Sequence, residues 1–401
     1  MEDFQEWILD KSSAEWMIYA KRLSANDTGL TGGHQVGIYV PKEIISNAVP
    51  AISSRDIRNP EHSFTAKVSS HDYPEQNLRC IYYNGKFFDG TRNEHRITRW
   101  NSDVSDNPVQ DPENTGALTF FAFHVPSEGV DADYLDVWVC KSLDEEEYIE
   151  KQIGEVIPGL WLFDRGDILF GGLAASLTKK ETHVQLPDAW LRVFPGGEEI
   201  ISFLSQNFSF RKTSPDDLIM ERRETEYRLF RQIEELHVLD KVRHGFSSID
   251  DFMQLANSVS NRRKSRSGRS LELHLESMFR QFGLTDFSTQ CITEGRKKPD
   301  FIFPSSSAYH DQAFSSDRLR MLAVKTTCKD RWRQVLNEAD RVDRIHLFTL
   351  QEGVSLHQFQ EMEAENVQLV VPAPLHRKFP EQVRDRLWTL GTFIEETRRL
   401  Y

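Results

Sequence analysis

Pro299-Asp300-Phe301-Ile302-Phe303 sets a carboxylate at the mouth of a short, wholly apolar run. Such a run reads as a buried strand. A carboxylate at its edge is costly to desolvate unless a cation or hydrogen bonds compensate it. A second, largely apolar strand is predicted at 319–324 and ends in Lys325, 25 residues after Asp300. A lysine there needs an anion or a path to water. Outward from this pair, strands at 345–350 and 367–371 alternate with helices at 331–341, 356–363 and 380–399. Helices at 216–239, 249–258 and 270–282 precede them, the last with Leu271, Leu275, Met278 and Phe279 on one face. Alternation of this kind predicts an α/β sheet with partly parallel strands.

The first half follows another rhythm. A short helix is expected at about 3–22, then β-branched and aromatic runs at 35–40, 64–68, 80–83, 117–125 and 134–139, with an acidic helix at 144–152. Gly, Asn, Asp and Pro clusters separate the runs, and the strand count suggests a small barrel or sandwich. Gly171-Gly172, Thr178-Lys179-Lys180-Glu181-Thr182 and Pro187-Asp188 mark a hinge. The chain is thus expected to be multidomain: a β-rich domain at 1–170, a linker at 171–190 and an α/β domain at 191–401.

Composition sets bounds. A length of 401 residues suits two or three domains, and 26 Phe with 8 Trp can fill their cores. No apolar run reaches the roughly 18 residues that a membrane span needs. The opening Met1-Glu2-Asp3-Phe4 has no apolar leader. Cys80, Cys140, Cys291 and Cys328 are scattered, fitting neither a zinc site nor a disulfide framework, so a cytoplasmic protein away from membranes is expected. The net charge of −13 argues alone against nucleic acid. The charge is uneven, however: residues 1–170 carry a net −14 and residues 171–401 a net +1. Basic patches stand out at Arg262-Arg263-Lys264-Ser265-Arg266, at Arg296-Lys297-Lys298, and at Arg92, His95, Arg96 and Arg99.

Asp300, Lys325 and Glu338, the last placed two turns into the expected helix at 331–341, have the chemistry of phosphodiester hydrolysis. That reaction needs a hard divalent cation held by oxygens, an attacking water and a positive charge near the developing anion. The same residues also fit a turn-capping Asp300 and a surface Lys325–Glu338 ion pair. Spacing alone does not separate these readings.

Pro299-Asp300 followed by Val324-Lys325 resembles the PD-(D/E)XK nuclease core. The acidic slot two residues before the lysine holds Ala323, which cannot bind metal. A subgroup of these nucleases takes that carboxylate from further along, thirteen residues after the lysine, where Glu338 stands. Residues 321–334, Met321-Leu322-Ala323-Val324-Lys325-Thr326-Thr327-Cys328-Lys329-Asp330-Arg331-Trp332-Arg333-Gln334, resemble the EcoRII restriction endonuclease family. So do 256–266, 348–355 and 22–29, and the resemblance extends over nearly the whole chain.

The resemblance implies a C-terminal restriction-endonuclease-like domain and an N-terminal DNA-binding pseudobarrel. It implies Mg2+-dependent cleavage of double-stranded CCWGG (W is A or T) to 5′ overhangs, by a homodimer of the IIE type that a second site activates as effector. The N-terminal domain would mask the cleft until effector DNA binds. Asp300, Lys325 and Glu338 fall on active-site positions, with Asp300 and Glu338 as metal ligands, and Tyr309 matches a tyrosine implicated in activity. Glu272 falls where similar nucleases keep a glutamate beside the metal ligands. Lys329 and Asp330 would read outer base pairs, since Lys donates to guanine and Asp accepts from cytosine. Arg223 would lie near the central pair and Arg331 at phosphate. Arg262 and Arg263 would serve as phosphate clamps or dimer contacts. In the effector domain His34 and Tyr39 form one DNA-reading loop and Arg92, Asn93, Glu94, His95 and Arg96 another. A non-catalytic DNA-binding regulator is the alternative, because the pseudobarrel also occurs in transcription factors.

Overall fold

Phe120 and Phe121, adjacent in sequence, enter two different cores, and this organises the first half of the molecule. A computed structural model of the chain describes residues 2–30, 37–100, 107–153, 155–156, 161–165, 184–329 and 331–401. They fall into two compact units. The first takes in residues up to 176 with the segments 351–359 and 377–384, and the second takes in the rest. Of the hinge expected at 171–190, residues 171–183 lie outside the described residues.

The first unit is built on one sheet of eight strands: β1 (Trp16–Arg22), β2 (Gly37–Val40), β3 (Glu61–Val68), β4 (Tyr73–Tyr83), β5 (Glu94–Thr98), β6 (Leu118–His124), β7 (Tyr134–Val139) and β8 (Trp161–Arg165), in the order β2-β5-β4-β3-β7-β6-β1-β8. All neighbours are antiparallel except β3 and β7. Helices α1 (Glu2–Asp10), α2 (Lys42–Ala48) and α3 (Leu143–Ile153) accompany it. Successive strand residues point to opposite faces. Phe121 and Phe123 of β6 therefore pack with Met17, Tyr19, Leu135 and Val137, while Phe120 and Ala122 meet Phe4 and Trp7 of α1 and Ile149 of α3. Two covered faces explain why β6 reads as an unbroken apolar run.

The helix expected at 3–22 stops at Asp10. Residues 16–22 instead pair with β6, Trp16 opposite His124. The period-two burial of Met17 and Tyr19 against Ile18 and Ala20 outweighs any helical preference.

The second unit holds a five-stranded mixed sheet: β9 (Ser288–Thr289), β10 (Phe301–Phe303), β11 (Arg320–Lys325), β12 (Ile345–Thr349) and β13 (Val367–Val370). The order is β13-β12-β11-β10-β9, parallel from β11 to β13 and antiparallel from β9 to β11. Its helices are α4 (Gly197–Asn207), α5 (Pro215–His244), α6 (Ile249–Gln281), α7 (Ser306–His310), the part of α8 (Leu356–Ala364, which links β12 to β13) from residue 360 on, α9 (Ala373–His376) and α10 (Leu390–Arg398). Phe279 of α6 lies edge-on to Phe301 and Phe303, with ring centroids 5.2 and 5.7 Å away, and so anchors β10 against the helix. Among the described residues no helix is long and apolar enough to cross a membrane.

Three helices differ from expectation. The segments 249–258 and 270–282 are one helix, α6, running through the basic patch. The patch does not break it because α5 supplies the countercharges: Arg266 makes paired bonds to Glu226 (2.9 and 2.8 Å) and Arg263 to Glu234 (2.8 and 2.7 Å). The expected helix at 331–341 is only a 3-10 turn, Trp332–Val335, followed by irregular chain. Side chains from other elements capture its backbone groups, as described below. The expected helix at 380–399 is interrupted at Trp388, which donates to Leu369 O (3.0 Å) and accepts from Val371 N (2.8 Å) beside β13.

Asp216, in the first turn of α5, is buried and accepts from the backbone N–H groups of Ala373 (3.1 Å), Leu390 (2.8 Å) and Gly391 (3.1 Å). One carboxylate thereby caps α9 and α10, whose first N–H groups have no partner within their own helices.

Candidate active site

The ends of β10 and β11 meet α6 at a cluster of carboxylates. Asp300 immediately precedes β10. Its Oδ2 accepts from the Val324 N–H at 2.7 Å and its Oδ1 from the Gln290 side-chain amide at 3.0 Å. The same amide donates to Glu272 Oε2 at 3.1 Å. Glu272 lies seven residues before Phe279, on the same face of α6, so the aromatic packing that fixes β10 also fixes Glu272 beside Asp300. Arg269 pairs with Glu272 at 2.6 Å.

Glu338 comes from the irregular chain after the 3-10 turn. Thr293 Oγ1 donates to its backbone oxygen at 2.6 Å, and Glu294 Oε2 accepts from the Asp340 N–H at 3.4 Å. The Arg341 guanidinium donates to the carbonyls of Tyr309, Asp311 (3.0 Å) and Phe314 (2.7 Å). Tyr309 Oη accepts from the Arg341 N–H at 3.4 Å. These clasps from Thr293, Glu294 and Tyr309 take up backbone groups that a helix would have paired internally, while the Arg341 side chain ties the segment to the chain at 309–314. Glu338 Oε2 is buried and has no hydrogen-bond partner.

The electrostatics match this crowding. Burial, then the Asp300 charge, pushes the Glu338 carboxyl up to about 7, against the lowering pull of Lys325 and Lys297. Burial raises Asp300 as well, with Lys325 opposing, and burial followed by Asp300 raises Glu272. Three carboxyl groups therefore share a region whose positive charge is insufficient to ionise them readily. An orphaned buried carboxylate oxygen among hard oxygen donors fits a divalent cation such as Mg2+. As placed, however, no three His, Cys, Asp or Glu side chains among the described residues stand close enough together to hold a metal ion.

Other sequence-singled residues take varied places. Tyr309 is fully buried in α7 and donates to Glu294 at 2.5 Å, so it joins the clasps under the Glu338 segment. Lys329 and Arg331 lie half-buried in the turn after β11, and Asp330 lies outside the described residues. Arg223 is 2% exposed and donates to Ser270 (2.5 Å) and Glu226 (3.4 Å) between α5 and α6. Arg263 is committed to Glu234, whereas Arg262 stacks over Phe194 at 4.7 Å.

In the first unit, Tyr39 is exposed on edge strand β2, opposite Arg96 of β5. Arg96 pairs with Glu94 (3.1 Å), Arg92 lies over Tyr83 at 5.5 Å, and Asn93 accepts from Tyr82 Oη at 2.6 Å. Strand alternation sends His95 inward, where it stacks on Tyr82 at 4.1 Å and burial, then Lys42, lowers its pKa to about 4. His34 lies outside the described residues.

Two family models match the chain: "Restriction endonuclease EcoRII, N-terminal" over residues 12–166 and "EcoRII C terminal" over 230–394. The type II restriction enzyme EcoRII of Escherichia coli is 52% identical over 401 residues, covering 100% of this chain and 98% of that enzyme. The chain belongs to the EcoRII family. It has that family's two-domain architecture, with a β-rich N-terminal half. Solved structures of metal-depleted Ecl18kI are also similar. One with uncleaved, modified DNA has a TM-score of 0.43 at 18% identity, covering 52% of this chain and 78% of its own. One with uncleaved DNA has a TM-score of 0.40 at 19% identity, covering 52% and 79%.

Within this EcoRII-family chain, sequence reasoning missed Gln290, Thr293, Glu294 and Arg341. The only advance signal was the Glu294-Gly295 turn ahead of Pro299. Nothing in the spacing ties a glutamine ten residues upstream to Asp300.

Proposed function

We propose that this chain is a type II restriction endonuclease that hydrolyses double-stranded DNA at CCWGG with Mg2+, leaving 5′ overhangs. The observation that carries the chemistry is the buried, unpartnered Glu338 oxygen of a carboxyl group that feels the charges of Asp300 and Glu272, with Lys325 acting on Asp300 and Glu338 through space. Asp300 and Glu338 would hold the cation in a PD-(D/E)XK-type centre in which Glu338 substitutes for the missing acid at Ala323. A bound divalent cation supplies Lewis acidity and a more acidic water. Lys325, at the end of β11, directs its positive charge at the carboxylates and at the charge that develops on phosphate. The Val324 N–H holds Asp300 in place, and Thr293, Glu294, Tyr309 and Arg341 hold the segment bearing Glu338. Tyr309 contributes through that support.

The DNA-reading roles follow position. Lys329, Asp330 and Arg331 leave the same strand end as Lys325 and are assigned to base and phosphate contact. Arg223 would reach DNA only on release from Ser270 and Glu226. Tyr39, Arg92, Asn93, Glu94 and Arg96 form the polar edge assigned to effector DNA, with His95 bracing Tyr82; His34 is assigned to the same DNA-reading role. We assign residues 1–170 to a pseudobarrel effector domain, 171–190 to a linker and 191–401 to catalysis and dimerisation, in a cytoplasmic homodimer. Exposed Leu236, Leu239 and Val242 of α5 and Ile249 and Met253 of α6 support a second copy as partner, because such a row on a helix pair is costly to leave in water.

The deciding experiment is cleavage by Lys325→Ala. We expect loss of cutting with DNA binding retained, and undiminished cutting would remove Lys325 from the chemistry. For the effector reading, a one-site plasmid should be cut poorly and be rescued by added short CCWGG duplex. Equal rates on one-site and two-site plasmids would defeat it.

A further inference from the structure

Gln290 follows the two-residue strand β9 and pairs its N–H with the Asp300 carbonyl at 3.3 Å. Its backbone is left-handed, φ 51°, where a residue with a Cβ is disfavoured. Such conformations cluster where function over-determines them. Here the bend coincides with a bridge. The two side-chain N–H groups reach Asp300 Oδ1 at 3.0 Å and Glu272 Oε2 at 3.1 Å, joining β10 to α6. Both partners are acceptors, so the amide nitrogen is the atom that must face them. With Oδ2 held by the Val324 N–H, both oxygens of Asp300 are fixed.

We infer that Gln290 is a positioning residue of the nuclease centre: its amide bridges Asp300 and Glu272, sets the orientation of the Asp300 carboxylate and ties Glu272 beside it. This rests on the reading of Asp300 and Glu338 as a metal centre. A neutral amide suits the task. It can hold two carboxylates together before a cation arrives without itself competing as a charge, whereas an arginine or lysine there would displace the cation. Each carboxylate accepts only one bond from the amide, which leaves it acceptor capacity for the metal.

The test uses the full chain and three readouts: Ca2+ binding by calorimetry, the Mg2+ concentration for half-maximal single-turnover cleavage, and DNA affinity without metal. Gln290→Met keeps the side-chain length and removes both donors. It should weaken Ca2+ binding and raise the Mg2+ requirement by about 10- to 100-fold, the effect expected for partners that orient metal ligands, with metal-free DNA affinity unchanged. Ca2+ affinity and Mg2+ requirement within twofold of the parent would overturn the proposal. If Gln290→Met does not fold, Glu272→Gln reads the bridge from its other end. A similar loss of Ca2+ affinity supports the bridge, and an unchanged affinity overturns it. The double variant should be no weaker than the worse single one, and additive losses would show that the residues act separately. A parent chain that binds no Ca2+ would instead bring down the metal-centre reading itself, whatever the variants do.

Discussion

Glu226 and Glu338 are both withdrawn from water within the same unit, and their carboxyl groups are driven in opposite directions. Glu226 lies between α5 and α6 and is held down to about 2. Burial alone would raise it, but Arg266 and Arg223 prevail. Glu338 is pushed up to about 7, because burial and Asp300 outweigh Lys325. The first cluster is satisfied: Arg266 is paired at 2.8 Å and the two long helices close on it. At the second, burial and the Asp300 charge outweigh Lys325 and Lys297, and Glu338 Oε2 keeps no hydrogen-bond partner. A buried carboxylate with its cation built in is a structural element, while one raised by burial and neighbouring carboxylates marks a candidate functional site. Sequence alone could not distinguish them, since both clusters set a glutamate among basic side chains.

Several substitutions would break or sharpen this contrast. Glu338→Gln should have the largest effect, lowering cleavage by a factor on the order of 10³. The same change should raise the thermal midpoint of the metal-free protein at pH 8 more than at pH 5. The sign follows from its raised pKa: below about 4.5 the carboxyl is protonated folded or unfolded, and between there and about 7 the folded state alone must hold the proton. A midpoint unaffected by pH would mean that the carboxylates do not crowd one another.

Glu226→Gln should behave oppositely, destabilising the protein by about 3–5 kcal/mol in denaturant titration because it strands buried guanidinium groups. Its depressed pKa supplies stability above about 4.5 that is lost as pH falls toward 2. A neutral outcome would show that the arginines rearrange to water. Asp216→Ala should cost about 1–3 kcal/mol, since three N–H groups lose their acceptor.

The smallest effect concerns His346, buried beside Trp388 (5.1 Å) and Phe393 (5.3 Å) and lowered to about 3 by burial, then Arg320. A depressed histidine pKa means that the fold loses stability as pH drops below about 6.5, by up to roughly 1.4 kcal/mol per pH unit. His346→Phe should flatten the stability profile between pH 6.5 and 5. An unchanged slope would assign the acid sensitivity elsewhere.

The sheet of the second unit was legible because Phe301-Ile302-Phe303 and the runs at 345–350 and 367–371 are apolar and sharply bounded. Asp300 and Lys325 were legible as charges at strand ends. The remainder was hidden for particular reasons. Residues 331–341 have helical periodicity, but Thr293, Glu294 and Tyr309 take their backbone partners, and that capture is written in distant segments. The basic patch at Arg262-Arg263-Lys264-Ser265-Arg266 reads in sequence as phosphate clamps or dimer contacts, and only the fold sets the glutamates of α5 beside Arg263 and Arg266. Gln290 was invisible because its role depends on one left-handed residue after a strand too short to leave a pattern.

The triple cap on Asp216 bears on the order of assembly. Its oxygens wait for N–H groups up to 175 positions further along the chain, and β9 to β13 are all synthesised before the last of these emerges. On a ribosome, the helix pair and most of the sheet would exist with that carboxylate still hydrated and α10 undocked. Since α10 carries Phe393, which packs on the Phe279–Phe303 stack supporting β10, the bed beneath Asp300 is completed only after all five strands of its sheet have been made.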